Sequence, residues 1–249
     1  MSKSPVRLLE VCVDSLQSTI NANQGGADRI ELCSALTLGG LTPSAGLLKS
    51  VKETVSDMPA FCMLRPRAGD FVYSDTEMQE VLNDLEVLKT YAADGFVFGA
   101  LHNDGTVNVE QCKAVLSAAH PLPVTFHRAF DVCSNWQHAL DLLISLGFTR
   151  LLTSGQAATA IEGMSNLKRI VRQATRRIGV IVGCGVTEAN LQQLIDYTEA
   201  VEYHSSASLQ VHSKFTAGKL AMGPVDNLSF KVTSTQSVQA LNQILKRCS

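Results

Sequence analysis

The feature of this sequence that most constrains its fold is an alternation of short apolar runs with longer segments of helical periodicity, repeated eight times from Val6 onward. Such an alternation is typical of βαβ units, and it predicts a parallel sheet whose consecutive strands are joined by helices. The strands are predicted at 7–13, 29–33, 60–65, 95–98, 123–127, 150–153, 179–182 and 200–204. The helices are predicted at 15–24, 43–55, 75–91, 109–118, 135–146, 158–174, 188–196 and 237–246.

The length of the chain fits a single closed barrel of these units. A (β/α)8 barrel commonly takes about 250 residues, and this chain has 249, of which 45% are hydrophobic. Because no Pro/Gly/Ser-rich linker divides the chain, we predict one α/β domain over residues 1–249, a TIM-type (β/α)8 barrel. The irregular stretch at about 205–235 is predicted to be a long loop or small insertion with a hairpin, of the kind that covers a site or joins subunits.

Two helix starts carry their own sequence signals. Thr42 followed by Pro43 predicts an N-cap and a first-turn proline for the second helix. Ser74 with Glu77 three residues later has the spacing of a capping box, which predicts the start of the third helix.

Charge and cysteine content exclude several classes of partner. A formal net charge of -2 gives no attraction for a polyanion, so no nucleic-acid partner is expected. The N-terminus lacks the apolar core of a signal peptide and no apolar run approaches the ~18 residues of a membrane span, which predicts a cytoplasmic protein without a membrane partner and leaves nuclear presence open. The seven cysteines are an odd number without a C-x-x-C pair, and are interpreted as reduced thiols.

Polar residues occur inside the predicted strands, where parallel strands covered on both faces should be almost entirely apolar. They lie in the C-terminal halves of their strands, which is the end of a (β/α)8 barrel that carries active sites. Glu10 and Cys12 share one face of the first strand, and Glu31 and Cys33 share one face of the second. These side chains are therefore predicted to project into one mouth.

Purely structural explanations of these residues remain open as well. Glu10 and Glu31 could form a buried salt-bridge network with nearby arginines, although burying several charges costs several kcal/mol per ion before pairing. A free cysteine is a common small core residue. This interpretation is preferred for four of the thiols, those of Cys62, Cys112, Cys133 and Cys248. His204, at the end of the eighth strand, fits a core position and a site position equally well.

Cys12 and Cys33 stand at matching positions of adjacent strands, so they would bring two soft ligands within a few ångströms. Paired thiolates select Cu(I) or Zn(II), and a set of only two suits Cu(I) better than tetrahedral zinc. The remaining polar groups are suited to an enzyme that acts on a small anion. An arginine would bind the anion, and His127 with Glu10 or Glu31 would transfer a proton. The catalytic candidates under that hypothesis are Glu10, Glu31, Arg65, His127, Arg128 and Asp131.

Two glycine-containing turns follow the sixth and seventh strands. Exposed backbone amides there would contact an anion, as they do in phosphate-binding barrels. The candidates are Ser154, Gly155, Gly183 and Gly185. Tight turning of the chain is the alternative explanation for these glycines.

Several of these segments are similar to those of one protein family. The matching segments are EVC (10–12), GGADRIELC (25–33), GGLTPS (39–44), RPR (65–67), GDFVY (69–73), DGFVFG (94–99), TFHRAFD (125–131), LTSGQ (152–156) and G-x-G (183–185). With them the chain resembles the CutC copper homeostasis family. The resemblance implies a TIM-type barrel that handles copper and binds Cu(I), with Cys12 and Cys33 matching the proposed ligand pair, and a homo-oligomer (dimer or tetramer). The chain departs from the family at Cys184, where bacterial members usually carry glycine.

The resemblance favours a cytosolic Cu(I)-binding protein of copper homeostasis, with the copper ion as its partner. The alternative is an enzyme of unassigned reaction that acts on a small anionic metabolite at the same mouth, because the acids, arginines and His127 are more than copper requires. A third hypothesis is an inactive barrel that serves as an assembly scaffold.

Overall fold

The computed structural model describes residues 6–212 and 229–248. Eight parallel strands close on one another in chain order, and the eighth pairs with the first. The strands are β1 Leu8–Val13, β2 Arg29–Leu32, β3 Ala60–Met63, β4 Gly95–Phe98, β5 Val124–Phe126, β6 Arg150–Thr153, β7 Gly179–Val182 and β8 Glu202–Ser205. The predicted (β/α)8 barrel is confirmed.

A helix follows each of these strands and packs on the outside of the barrel. The helices are α1 Leu16–Gly25, α2 Ala45–Thr54, α3 Asp75–Thr90, α4 Val109–Ala119, α5 Trp136–Leu146, α6 Met164–Ala174, α7 Leu191–Thr198 and α8 Thr235–Arg247. None of the helices in the described part of the chain has the length and apolar character needed to cross a membrane.

The side chains of each strand alternate between two environments. Leu9, Val11 and Val13 of β1 belong to the main core, which they share with the apolar faces of the helices. The alternate residues face the barrel interior, where Phe61 packs with other apolar side chains and lies under the Arg150 guanidinium, 4.4 Å from its ring centroid. The charged residues of the strands therefore point into the barrel and not towards the helices.

Two helix starts test the capping predictions. The capping box of Ser74 and Glu77 at α3 is confirmed. The prediction for Thr42 and Pro43 is wrong, because Ser44 caps α2. Thr42 instead pairs with Arg65, which lies two residues after the end of β3. The Thr42 hydroxyl oxygen accepts from the Arg65 amide at 3.0 Å, and the Thr42 amide donates to the Arg65 carbonyl at 3.0 Å.

After β8, the chain forms two antiparallel strands, β9 Ser208–His212 and β10 Ser229–Thr233. They fall within the stretch predicted as a long loop with a hairpin. The part of that stretch at 213–228 lies outside the described residues.

Candidate functional site

A cavity of about 910 Å³ opens at the carboxyl ends of the barrel strands. Its wall includes side chains from β1, β2 and β8, the segments after β3 and β5, and both strands of the β9–β10 pair. A cavity of this size accommodates a small metabolite. Active sites of this fold lie at the same end of the barrel.

Three potential metal ligands meet in this cavity. Among the residues that the structure describes, one ligand atom each from Cys12, Glu31 and His204 lies within 4.8 Å of the others. The parallel register places Cys12 beside Glu31 on β2, while β8 brings His204 to the other side of β1. His204 Nε2 lies 3.0 Å from Glu31 Oε2. We call this set the Cys12–Glu31–His204 cluster.

The cluster is strongly coupled electrostatically. Burial opposes a positive charge on His204, but the negative charges of Cys12 and Glu31 outweigh it and hold the pKa of the imidazole well above its usual range. All three side chains are largely shielded from solvent, because Cys12 is 8% exposed, Glu31 4% and the His204 side chain 12%. Once the His204 imidazolium and the Cys12 thiol have lost their protons to an incoming metal ion, the thiolate, imidazole and carboxylate offer that ion three donors.

Cys33 does not belong to this cluster. Its Sγ lies 3.8 Å from Glu31 Oε2, and its side chain is fully buried with Phe61, Met63 and Val97. Burial raises the pKa of the Cys33 thiol well above its usual range, and the negative charge of Glu31 acts in the same direction. The sequence matched Cys12 with Cys33, but the staggered register of a barrel places Cys12 opposite Glu31.

Glu10 is engaged in a buried ionic network below the cavity. Arg29 bridges Glu10 and Glu202, and Arg150 lies 3.9 Å from Glu202. Burial opposes the charge of Arg29, but the two carboxylates outweigh it and raise its pKa. The salt-bridge interpretation thus holds for Glu10, which does not line the cavity.

Arg65 is a buried cation in the cavity wall. Its Nη1 donates to the carbonyls of Leu38 and Gly40, at 2.9 and 3.2 Å, and its Nη2 donates to the Gly69 carbonyl at 2.9 Å. The guanidinium carbon lies 5.1 Å from the centroid of the Phe71 ring. Within the described residues, no carboxylate lies within 4.0 Å of this guanidinium, and its Nε has no acceptor.

His127 lines the same cavity as Arg65. Its Nδ1 accepts a hydrogen bond from the Ala129 amide at 3.2 Å, which places the proton of the neutral ring on Nε2. That Nε2 is buried and has no partner among the described atoms, and the ring centroid is 4.9 Å from that of Phe71. Burial lowers the pKa of His127 to about 3, and the positive charge of Arg65 acts in the same direction.

A neutral His127 has a measurable consequence. Because its folded-state pKa is about 3, the ring is expected to remain neutral from about pH 8 down to about pH 5, where a free histidine titrates. An NMR titration of the ring C–H and nitrogen signals checks this, with His127→Gln used for assignment. A titration midpoint between those two pH values would contradict the assignment.

Asp131 holds the turn after β6 together. Its carboxylate accepts hydrogen bonds from the Ser154 amide and hydroxyl at 3.0 and 2.9 Å, from the Gln156 amide at 3.1 Å and from the Thr153 hydroxyl. Arg128 Nε donates to it at 2.8 Å. Asp131 does not line the cavity, so its position does not match the catalytic role predicted for it, whereas Arg128 does line it.

The predicted anion contacts are largely occupied. The Ser154 amide donates to Asp131, the Gly155 amide to the Thr153 hydroxyl, and the Gly183 amide to the Thr153 carbonyl. They are therefore not free to bind an anion in this conformation. Gly185 is the member of this set that lines the cavity.

Cys184 lines the cavity beside Gly185. Its backbone has φ 76°, a left-handed conformation that glycine adopts without strain. Its Sγ lies 3.1 Å from the Ala158 carbonyl. Phe71 also lines the cavity; an apolar residue within the GDFVY segment carries no sequence signal of a site position.

Comparison with known proteins gives the family. Residues 7–209 match the model of the CutC family. A human protein named "Copper homeostasis protein cutC homolog" is 48% identical over 244 residues, covering 96% of this chain and 89% of that protein. A Caenorhabditis elegans protein of the same name is 43% identical over 237 residues, covering 95% of this chain and 94% of that protein.

Solved structures agree with this result. The crystal structure of the putative copper homeostasis protein CutC from Streptococcus agalactiae is similar with a TM-score of 0.77 and 33% identity, covering 80% of this chain and 98% of that chain. A thiamine phosphate pyrophosphorylase from Pyrococcus furiosus has a TM-score of 0.59 at 13% identity, covering 98% of this chain and 96% of that chain, which is a likeness of fold alone. Fold and sequence together show that this chain belongs to the CutC family.

Proposed function

We propose that this protein serves copper homeostasis by binding copper as its cargo through the Cys12–Glu31–His204 cluster. The observation that carries the proposal is the approach of a thiol, a carboxylate and an imidazole to within 4.8 Å of one another at the mouth. Relatives from human, worm and Streptococcus agalactiae are named copper homeostasis proteins, which supports copper as the metal.

The chemistry of the three donors fits this cargo. Thiolate sulfur is the soft ligand that Cu(I) prefers, and imidazole nitrogen also suits copper. Cys12 would therefore be the principal ligand and His204 the second. Glu31 contacts His204 directly and adds negative charge beside the ion.

Anaerobic competition for Cu(I) against a chelator tests the proposal. Cys12→Ser is expected to weaken binding by about 100-fold, because it removes the sulfur ligand. The matched control is Cys112→Ser, which alters a buried thiol on α4 outside the cavity and should leave the affinity unchanged. Equal affinities of the Cys12→Ser and Cys112→Ser variants would contradict the proposal.

Cys33→Ser separates the cluster from the two-thiolate site predicted from the sequence. Since the Cys33 thiol is fully buried and its raised pKa disfavours the thiolate, we expect this variant to lose less than about tenfold in Cu(I) affinity. A loss as large as that of Cys12→Ser would instead support Cys12 and Cys33 as the ligand pair.

A further inference from the structure

Two hydrogen-bond donors in the cavity wall have no acceptor in the part of the chain that the structure describes. Arg65 Nε and His127 Nε2 are both buried, and neither has a partner among the described residues. A buried donor without an acceptor is destabilising, so two in one wall require an explanation. Both residues line the same cavity, and both pack against the Phe71 ring.

Within the described residues Arg65 forms no ion pair, although its charge acts on the exposed carboxylate of Asp70. Its remaining nitrogens donate to three backbone carbonyls, which hold the guanidinium in place but supply no formal negative charge. The side chain is only 6% exposed, so water screens it poorly. Two other arginines of the barrel differ, because Arg29 is paired with Glu10 and Arg128 with Asp131.

We propose that Arg65 and His127 form a binding subsite for the carboxylate group of a small metabolite, next to the Cys12–Glu31–His204 cluster. The groups without a partner among the described residues are the positive charge of Arg65 and two N–H donors, Arg65 Nε and His127 Nε2. They match the single charge and the two oxygens of a carboxylate. A phosphate dianion would bring a second negative charge that no residue of this subsite balances. The cavity volume of about 910 Å³ leaves room for the rest of the metabolite.

The subsite does not depend on copper binding, so metal-free protein is the appropriate sample. Acetate, succinate and inorganic phosphate are titrated separately, and the ring signals of His127 are followed by NMR. Acetate and succinate are expected to shift these signals in a saturable way, because the carboxylate accepts from Nε2. Inorganic phosphate is expected to bind more weakly than acetate, the probe that carries a single negative charge.

Calorimetry of variants assigns the binding to Arg65. Arg65→Gln is expected to weaken succinate binding at least about tenfold, the usual effect of removing a charged hydrogen-bond donor. The matched control is Arg67→Gln, since Arg67 lies two residues along, pairs with Asp70 and Glu77, and does not line the cavity. Cys12→Ser should retain carboxylate binding, so failure of the copper proposal and failure of this one are distinguishable.

Three outcomes would overturn the subsite. They are unchanged His127 signals at saturating carboxylate concentration, equal succinate affinities of the Arg65→Gln and Arg67→Gln variants, and phosphate binding tighter than that of acetate. If Arg65→Gln does not fold, His127→Gln takes its place in the calorimetry. The NMR titration of the unmodified protein is decisive in either case.

Discussion

Replacing Glu10 by alanine is expected to lower the free energy of unfolding by about 3–5 kcal/mol, because it leaves the buried Arg29 with one of its two carboxylates. Glu10 is 1% exposed and Arg29 6%, so water cannot take the place of the missing charge. Burial alone would lower the pKa of Arg29, but the carboxylates of Glu10 and Glu202 stabilise its charged form and raise the pKa. Urea unfolding of the purified protein measures the change.

An exposed ion pair provides the control for Glu10. Glu53 lies 3.8 Å from Lys49 on α2, with a side chain 66% exposed, and Glu53→Ala should change stability by no more than about 0.5 kcal/mol. The Glu10→Ala variant should therefore be much less stable than the Glu53→Ala variant. If both lose the same small amount, the ionic network does not hold the barrel interior together.

Replacing Asp131 by alanine is expected to cost a comparable amount, about 3–5 kcal/mol, because several donors lose their acceptor at once. The Ser154 and Gln156 amides and the Thr153 hydroxyl all donate to this carboxylate, whose side chain is 5% exposed. Arg128 also loses its ion-pair partner. The turn after β6 should therefore unfold locally before the rest of the barrel unfolds. Urea unfolding and amide hydrogen exchange at Ser154 and Gln156 measure the two effects.

Asp104 is the matched control, because it makes the same kind of contact in an exposed turn. It accepts from the Thr106 amide at 2.9 Å and from the Thr106 hydroxyl at 2.6 Å. Water replaces an exposed acceptor, so Asp104→Ala should have a far smaller effect on unfolding. Asp131→Ala with unchanged stability and unchanged exchange would show that Asp131 does not support this turn.

Most of the fold followed from hydrophobic periodicity. The strand at Gly95–Phe98 was predicted to the residue, and the polar residues in strands marked the side chains that face the barrel interior. The sixth helix begins at Met164 and not at 158, because a turn region precedes it in which Gly163 meets the Ser154 carbonyl too closely for any side chain. Periodicity carries no information on such a contact between loops.

The site was less predictable because it depends on register and on loops. Which residue stands beside Cys12 is decided by the stagger between β1 and β2, and that stagger selects Glu31 over Cys33. Whether a buried acid is free or engaged depends on partners distant in the chain, as the contacts of Asp131 with Ser154 and Gln156 illustrate. The polar positions could thus be named from the sequence, but their roles could not.

The homo-oligomer, the cytoplasmic location and an insertion at 205–235 that covers the site or joins subunits stay predictions. The enzyme hypothesis also stays a hypothesis, and fewer residues support it, because not all of its candidates line the cavity. Of its six residues, Glu31, Arg65, His127 and Arg128 line the cavity. Glu10 pairs with Arg29 and also lies 3.9 Å from His204 Nε2, and Asp131 holds the turn after β6.

The most direct test of the central claim is the position of copper in a crystal. Crystals of the metal-free protein are soaked anaerobically with Cu(I), and anomalous diffraction is recorded on both sides of the copper absorption edge. We predict one strong peak in contact with Cys12 Sγ and a ligand nitrogen of His204, and its loss in crystals of the Cys12→Ser variant. A peak between Cys12 and Cys33 without His204, or no copper at the mouth, would contradict the account.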